Sequence, residues 1–425
     1  MIFRPARFLA AAALFAPLLA FGQKNGCIDC HSQLDGDLKA PVAAFEADIH
    51  REFGLSCRDC HGGNPDTDDI ALAKDKSFKG APAKAKIPLF CGGCHADPAA
   101  MRTYNPALRT DQLSQYETSR HGKLLKAGDT KVAVCTDCHG VHGILSARMP
   151  KSTTFPWNIP QTCGRCHADK GLMEGYRIPT DQLDEYMASV HAKALFEKKD
   201  LSAPACNDCH GNHGAFPPAV SSVASVCRQC HAAAGELFGK SLHKKAFDDM
   251  GVGECDACHG NHKILPPSTA MIGTADGAVC IQCHDEGSRG FKMAADLRRT
   301  LDGFTSGYSE VEGLLSLARR RGVEVGDAEF SLQDVHTTLV SAENLTHGLD
   351  EAEIAKTVAE GEKALLGVRT AALGAVKEGR FRRQGLAVTT AILALFAVAL
   401  ALKVRRMGRT HRDEAGPGVP GPPSS

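Results

Sequence analysis

Hydrophobic and polar residues follow helical periodicity in the last third of the chain. Between Gly290 and Arg383 the apolar residues are spaced by four and three positions, which places them on one face of a helix. These residues are Leu297, Leu301, Phe304, Tyr308, Val311 and Leu315. A second helix is predicted from about Phe330 to Thr346, and a third from near Asp350, a residue type that favours helix N-caps. The pattern therefore predicts a helical segment over residues 289–384.

Two uninterrupted apolar runs lie near the ends of the chain. Phe8–Phe21 follows two arginines and precedes small residues. This pattern is typical of a secretory signal peptide, which we predict over residues 1–22, with an uncleaved anchor as the alternative. Leu386–Leu402 carries no charge and has arginine and lysine on both sides. It predicts one transmembrane helix over residues 385–403.

The basic residues around the second run predict its orientation. More of them follow the run than precede it, which places the C-terminus in the cytoplasm and the upstream chain outside the cytoplasmic membrane. Residues 404–425 end in a stretch rich in Gly, Pro and Ser and are predicted to be a disordered cytoplasmic tail. The whole chain has 49 basic and 49 acidic residues, so its charge gives no indication of nucleic-acid binding.

Cysteines define the region between the two apolar runs. All 18 cysteines fall into nine Cys-x-x-Cys-His motifs, the covalent attachment signature of c-type haem. Zinc ribbons also use Cys-x-x-Cys, but they pair two motifs in one four-ligand site, and nine is an odd number. Only 6% of the residues are aromatic, so we expect porphyrins to form most of the core. The sequence thus predicts nine covalently bound haem c groups.

Each motif supplies two cysteines for thioether bonds and one proximal histidine for the iron. The predicted haem-binding cysteines are Cys27, Cys30, Cys57, Cys60, Cys91, Cys94, Cys135, Cys138, Cys163, Cys166, Cys206, Cys209, Cys227, Cys230, Cys255, Cys258, Cys280 and Cys283. The predicted proximal ligands are His31, His61, His95, His139, His167, His210, His231, His259 and His284. Low-spin iron then needs a distal ligand on its other face.

The motifs recur in pairs. The segments after His95 and His167 hold Met, Tyr, Asp-Gln-Leu, Tyr and Ser-x-His in the same order, and such periodicity indicates a repeated structural unit. We predict four two-haem modules, at about residues 48–95, 119–167, 189–231 and 241–284. A lone haem precedes them, and together they form a nonahaem domain over residues 23–288.

Ten histidines lie outside the motifs, and His411 lies beyond the predicted membrane helix. The other nine are candidate distal ligands, namely His50, His121, His142, His191, His213, His243, His262, His336 and His347. In Cys-His-Gly-x-His, a histidine three residues past the proximal one cannot reach the opposite face of the same porphyrin, so it must serve a neighbouring haem. His336 and His347 are predicted to share one helix face about 16 Å apart, which suits two separate haems. A surface position or a propionate contact is the alternative for each histidine, and methionine ligation at Met101 or Met173 is a further alternative to packing.

These features resemble the multihaem cytochromes c with doubled Cys-x-x-Cys-His motifs, that is, the class III type and the larger membrane-associated respiratory cytochromes. The resemblance covers roughly residues 27–350 and rests on the nine motifs, the Ser-x-His elements and the Cys-His-Gly-x-His elements. It implies bis-histidine haems of low potential. The expected fold is mainly α with extensive loop, built from two-haem repeats, followed by a C-terminal helical segment and one transmembrane helix.

The function implied by this resemblance is electron transfer. We expect a membrane-anchored periplasmic cytochrome that passes electrons from a membrane quinol-oxidising complex to periplasmic redox proteins in anaerobic respiration. No catalytic residue is predicted. The alternatives are a reductase of a small nitrogen or sulfur oxo-compound at one open iron, and a terminal reductase of metals or extracellular acceptors. The absence of a Cys-x-x-Cys-Lys motif, which many multihaem nitrite reductases carry, weakens the first alternative.

Overall fold

The computed structural model describes residues 25–216 and 220–414, and within these ranges every regular element is a helix. The predicted signal peptide lies outside the described residues. The chain divides into two compact units. The first comprises Met1–Pro218 and His262–Ile264, and the second comprises Ala219–Asn261 and Leu265–Ser425.

The first unit consists of short helices joined by loops. Its helices are α1 Gly26–His31, α2 Ala40–Phe45, α3 Ile49–Glu52, α4 Cys57–His61, α5 Ile70–Ala73, α6 Ile87–His95, α7 Pro98–Tyr104, α8 Gln112–Thr118, α9 Arg120–Lys126, α10 Cys135–His139, α11 Ile159–His167, α12 Lys170–Met173, α13 Gln182–Met187, α14 Val190–Phe196 and α15 Cys206–His210. Single 3₁₀ turns lie at Gly36–Leu38, Lys84–Lys86, Pro156–Asn158 and Glu174–Tyr176. Helices this short are not stable alone and depend on tertiary contacts.

The apolar clusters of the first unit are small. One contains Leu125, Val132 and Val134, and another contains Leu195, Ala203 and Ala205. Clusters of this size bury too little apolar surface to hold about 190 residues in one fold. A large additional apolar group is therefore expected inside this unit, in agreement with the porphyrin core that the low aromatic content predicted.

The second unit begins with short helices and ends in a three-helix bundle. Its helices are α16 Val220–Arg228, α17 Ala232–Lys240, α18 Leu242–Met250, α19 Asp256–His259, α20 Arg289–Arg320, α21 Gly326–Leu345 and α22 Glu351–Glu414, with 3₁₀ turns at Thr269–Met271 and Cys280–Gln282. The predicted apolar face of α20 is buried at Leu297, Leu301, Phe304, Val311 and Leu315, and Tyr308 packs at its edge. Residues from α21 and α22, such as Val335 and Ile354, complete this core.

Helix α22 combines two elements that the pattern predicted separately. Asp350 caps it by accepting from the backbone N–H groups of Ala352 and Glu353. Its apolar core contacts end at Val376, while Gly379 still packs against Arg321 and Val323. The apolar stretch that follows is exposed and is long and apolar enough to cross a membrane. The helix continues through Glu414, past the predicted start of the tail at residue 404, because residues 404–414 contain no proline and extend a helix that is already formed. Residues 415–425 lie outside the described residues.

Candidate haem-binding sites

Three motif helices of the first unit start in the same way. In α4, α10 and α15 the aspartate between the two cysteines accepts from the backbone N–H of the residue before the first cysteine. The amide-to-carboxylate distances are 2.7 Å for Ser56–Asp59, 2.7 Å for Val134–Asp137 and 2.8 Å for Ala205–Asp208. This bond fixes the first turn of the helix, and the turn places the first cysteine and the histidine four residues later on one face. Both attachment points and the iron ligand are thereby arranged together.

A glycine follows the first motif of every module and turns the chain back. Gly62, Gly140, Gly211 and Gly260 have φ values of 70°, 79°, 78° and 72°. This is the left-handed region, where a side chain is strained. The reversal brings the next residues of the Cys-His-Gly-x-His elements back beside a different module.

Seven candidate distal histidines lie beside seven motif histidines. The pairs and their ring-centre distances are His50–His95 at 5.9 Å, His61–His142 at 5.8 Å, His121–His167 at 6.2 Å, His139–His213 at 6.0 Å, His210–His262 at 5.9 Å, His243–His284 at 5.9 Å and His259–His347 at 6.0 Å. In the sequence these partners are between 41 and 88 residues apart, so local chain geometry does not produce the pairing. The narrow range of distances indicates a shared structural requirement.

That requirement matches a metal held between two imidazoles. A metal–imidazole bond is about 2 Å long and the ring centre lies about 1.2 Å behind the nitrogen, so two imidazoles on opposite faces of one metal have centres about 6 Å apart. The distances of 5.8–6.2 Å agree with this value. The residues present therefore fit bis-histidine haem.

Six of the seven pairs follow two rules, and the seventh joins His259 to His347, which follows α21. His121 and His243 of the Ser-x-His type, and His50 at the matching Asp-x-His position, pair with the second motif of their own module. Histidines of the Cys-His-Gly-x-His type pair with the first motif of the preceding module, as His142 does with His61. The spacing argument that this second type serves a neighbouring haem agrees with this geometry.

A repeated backbone bond brings the second type into place. The donor is the backbone N–H of the residue just before a distal histidine. The acceptor is a carbonyl in the next module, two residues after the last histidine of its Cys-His-Gly-x-His element. The bonds are Ile49–Ile144 at 2.8 Å, Arg120–Ala215 at 3.0 Å and Val190–Ile264 at 2.8 Å. Each bond therefore joins two consecutive modules at their distal histidines.

Two repeated tyrosines form a second type of anchor. The Tyr116 hydroxyl donates to the Ala133 carbonyl at 2.9 Å, and the Tyr186 hydroxyl donates to the Pro204 carbonyl at 2.9 Å. Each accepting carbonyl lies two residues before the first cysteine of the next module. Each hydroxyl group therefore fixes the chain just before a predicted haem-binding motif.

Several imidazoles are oriented through Nδ1. His31, His61 and His347 bond through Nδ1 to the carbonyl oxygens of Leu38, Gly80 and Asn344 at 2.8, 2.9 and 2.8 Å. His50 bonds instead to the carboxylate of Asp48 at 2.8 Å. In each case Nε2 is left available for iron, the arrangement common among metal-bound histidines.

Burial favours the uncharged form of the paired imidazoles. It lowers the pKa of His139 to about 4, with His213 and His95 lowering it further by repulsion. Burial is also the largest cause of the lowered pKa at His95 and at His121. Neutral imidazole is the form that binds metal, so these sites favour ligation at neutral pH.

Cysteines of consecutive motifs lie close together within each unit. The largest cause of the raised pKa at Cys91, Cys163 and Cys255 is the neighbouring thiol of Cys135, Cys206 and Cys227, respectively. Between the other consecutive motifs of a unit, burial and then the charge of a cysteine in the neighbouring motif raise a cysteine pKa, as for Cys57 beside Cys27, Cys60 beside Cys94, Cys138 beside Cys163 and Cys258 beside Cys280. Motifs adjacent in sequence are thus adjacent in space within each unit, an order that the sequence did not reveal.

The remaining predicted ligands have other surroundings. His336 is exposed, and its ring centre lies 5.5 Å from that of Tyr308. The expectation that His336 and His347 share a helix face is wrong because α21 ends at Leu345, before His347. His191 lies in the first turn of α14 after Ser189, as His121 does in α9 after Ser119. The roles of His191 and His336 as iron ligands stay predictions.

Met101 and Met173 are both 6% exposed and occupy equivalent repeat positions in α7 and α12. Each lies close in sequence to a motif histidine that already has a histidine partner, His95 and His167. Packing therefore accounts for both methionines.

Comparison with known families agrees with this arrangement. Residues 49–168 and 197–285 match the family model described as Cytochrome c3. Each matched region contains four of the attachment motifs, whereas the Cys27 motif and the C-terminal bundle lie outside both. No curated protein and no solved structure matches the chain.

Proposed function

Because the chain is a multihaem cytochrome c of the class III type, we propose that it is a membrane-anchored periplasmic electron carrier. It binds nine haem c groups and transfers electrons from a quinol-linked membrane complex to periplasmic redox proteins in anaerobic respiration. All 18 motif cysteines form the thioether bonds in this proposal. The nine motif histidines are the proximal ligands, and the nine predicted distal histidines are candidates for the other face.

The observation that carries this proposal is the set of seven histidine pairs near 6 Å. Haem c, when bound, supplies an iron that alternates between the ferric and ferrous states. An imidazole on each face leaves no coordination position for a substrate. These side chains therefore favour electron transfer without chemistry on a bound molecule.

The cysteine neighbours support transfer along the chain. Neighbouring cysteines of consecutive motifs, such as Cys91 and Cys135, would hold two consecutive haems close to each other. Such contacts repeat through the motifs of each unit, so the residues arrange the cofactors in sequence order. The burial that lowers histidine pKa values also excludes water from these sites and favours low reorganisation.

Helix α22 supports the membrane anchor. Its apolar stretch, Leu386–Leu402, contains no histidine and no charged residue. Such a segment offers no ligand for haem and no proton acceptor for quinol. We therefore propose that quinol oxidation takes place in a partner membrane protein on which the cytochrome docks.

Haem content and spin state test the proposal. Mass spectrometry of the purified holoprotein should show nine added haem masses on the full chain, or on the chain shortened by the signal peptide. Ferric spectra should be low-spin, and CO should leave the reduced spectrum of the paired haems unchanged. Markedly fewer haems, or zinc at the motif cysteines, would contradict the proposal.

A specific observation favours the reductase as the second candidate function. Among the described side chains no histidine ring pairs with His31, whose Nδ1 bonds to the Leu38 carbonyl. A haem at the Cys27 motif with only this ligand has an open position for a small nitrogen or sulfur oxo-compound. A high-spin ferric signal and a CO shift that disappear in the C27S/C30S double variant would support this function. Their absence from the intact protein would exclude it.

A further inference from the structure

One buried carboxylate contacts a predicted iron ligand. Asp48 is 2% exposed and lies two residues before His50. Its Oδ1 accepts from His50 Nδ1 at 2.8 Å and from the His50 backbone N–H at 2.9 Å. Its Oδ2 accepts from the backbone N–H of Ile144 at 2.9 Å. Both carboxylate oxygens are therefore fixed, and the side chain has no freedom to turn away from the imidazole.

The equivalent position in the other modules holds serine. Ser119, Ser189 and Ser241 precede His121, His191 and His243 by two residues, as Asp48 precedes His50. The hydroxyl groups of Ser119 and Ser189 cap the following helix by accepting from Gly122 and Ala192. Helix capping thus needs only a hydroxyl at this position. The negative charge of Asp48 is not explained by capping.

The other Nδ1 partners are different in charge or exposure. His31, His61 and His347 bond to neutral carbonyl oxygens. Glu185 approaches His262 Nδ1, but at 3.5 Å and with 37% of its side chain exposed, so solvent screens its charge. Asp48 combines a short hydrogen bond with nearly complete burial, where electrostatic interactions are strongest.

We propose that Asp48 is a positioning residue that makes His50 a more strongly electron-donating ligand and thereby lowers the reduction potential of the haem at Cys91–His95. This inference rests on the proposed function, in which His50 and His95 bind the same iron. A carboxylate that accepts from Nδ1–H raises the basicity of the ligating nitrogen. The more basic ligand stabilises ferric iron more than ferrous iron, and the buried negative charge acts in the same direction.

The consequence is a haem set apart from its neighbours in potential. In the first module, the distal ligand His50 of the haem at Cys91–His95 bonds to the charged carboxylate of Asp48. The proximal histidine His61 of the haem at Cys57–His61 bonds to the neutral carbonyl of Gly80. When the module is partly reduced, the two haems therefore carry the electron to unequal extents. Asp48 thereby determines which haem of this module is oxidised first.

Redox titration of the full-length holoprotein tests the inference. D48N removes the charge and keeps one oxygen, which can accept from the backbone N–H of His50 or from that of Ile144 but not from both, because these groups bond different oxygens of Asp48. One of the nine midpoint potentials should rise, and one low-spin electron paramagnetic resonance signal should shift its g-values. The control is D69N, which makes the same charge change at an exposed helix cap, where Asp69 accepts from Ala71 and Leu72. D69N should leave all midpoints unchanged.

Unchanged midpoints in a D48N protein that still carries nine low-spin haems would overturn the inference, and so would an equal shift of all haems in D48N and D69N. Neither result affects the proposed function, which is tested by haem count and spin state. If D48N does not retain nine haems, S119D provides the reciprocal test. It should lower one midpoint, that of the haem at Cys163–His167, and an unchanged set of midpoints would then reject the inference.

Discussion

The backbone N–H of Arg120 donates to the carbonyl of Ala215 at 3.0 Å, across 95 residues of sequence. Arg120 precedes the distal histidine His121, and Ala215 follows His213 by two residues. The bond therefore fixes two predicted iron ligands of different haems through a single contact. Two further bonds of the same kind occur at Ile49 and Val190, so this contact is a general connector between modules.

Removal of this one donor should weaken the connection between modules. In R120P the proline occupies the first position of α9, and the preceding Ser119 has an extended conformation that proline tolerates. The helix is kept while the N–H is lost. We expect unfolding in denaturant, followed by the Soret band, to require about 1 kcal/mol less free energy.

Leu242 provides the matched control for this variant. It occupies the equivalent position in α18, after Ser241, and is 86% exposed. Within the described part of the chain its amide makes no bond of the kind seen at Arg120. L242P should therefore leave stability nearly unchanged. An equal loss in R120P and L242P would show that proline strain, not the intermodule bond, is responsible.

His347 should be required for one low-spin haem. Its ring centre lies 6.0 Å from that of His259, so H347A should remove the predicted distal ligand of the proposed haem at Cys255–His259. We expect one of the nine haems to become high-spin and to bind CO after reduction. H336A is the matched variant, because His336 contacts Tyr308, and it should leave the spin state unchanged. A high-spin haem in H336A and none in H347A would reverse this assignment.

Phe304 should stabilise the C-terminal bundle. Its side chain is fully buried, and a Cβ added at Gly361 would lie 2.3 Å from its ring, so α22 is packed directly against it. F304A should destabilise the bundle by about 3–5 kcal/mol, since the cavity cannot fully collapse. Hydrogen exchange in α20 and α21 measures this loss. Phe330, 68% exposed on α21, gives the control variant F330A, which should exchange as the wild type does.

Acid should weaken the contact between α20 and the Thr269 turn. The hydrogen bond from Thr269, and then that from Arg298, lowers the pKa of Asp302. A carboxyl whose pKa is lower when folded stabilises the fold above its unfolded pKa of about 3.9, and this stabilisation is lost as pH falls through the folded pKa. The side chain is 41% exposed, so solvent limits the contribution to no more than about 1 kcal/mol.

The variant D302N isolates this effect. At pH 7 it should be less stable than the wild type by that amount, and the difference should shrink as the pH falls below about 4. Comparing denaturant midpoints of the two proteins at each pH cancels the titration of other groups. D296N removes the exposed partner of Arg299 and should show no such pH-dependent difference. A constant difference between wild type and D302N from pH 7 to pH 3 would contradict the prediction.

Truncation after Arg383 should release the cytochrome from the membrane. All buried core residues of α22, the last of which is Val376, remain in this variant, while the exposed apolar stretch is removed. We expect the truncated protein to appear in the soluble fraction with an unchanged haem count. The full chain should stay in the membrane fraction after carbonate extraction. Release of the full chain by carbonate would exclude the transmembrane anchor.

The bundle was well predicted because burial on a long helix follows a simple period. Of the positions spaced by four and three on α20, Leu301, Phe304 and Val311 are completely buried. The predicted N-cap at Asp350 is also confirmed, because its carboxylate accepts from the backbone N–H of Ala352. An aspartate just before a helical pattern commonly has this role. In both places local sequence and tertiary structure favour the same conformation.

The haem sites were only partly predictable. Motif spacing determines which cysteines and proximal histidines belong together, because one helical turn connects them. It does not determine which distal histidine meets which motif, because that depends on contacts such as Ile49–Ile144 between residues 95 positions apart. The role of Asp48 was missed for the same reason. The one available signal was the aspartate at a position where the other modules have serine.

Helix α22 has a consequence for how electron-transfer partners can reach the protein. Between Gly379, which still packs against Arg321 and Val323 of the bundle, and Leu386, at the start of the apolar stretch, the helix runs without a break for about 10 Å. A cytochrome on a long flexible tether can swing between distant donors and acceptors. If Leu386–Leu402 spans the membrane as proposed, this continuous helix would instead hold the bundle at a fixed height above the bilayer. Membrane partners would then meet it by lateral diffusion, and soluble partners would have to approach the membrane surface.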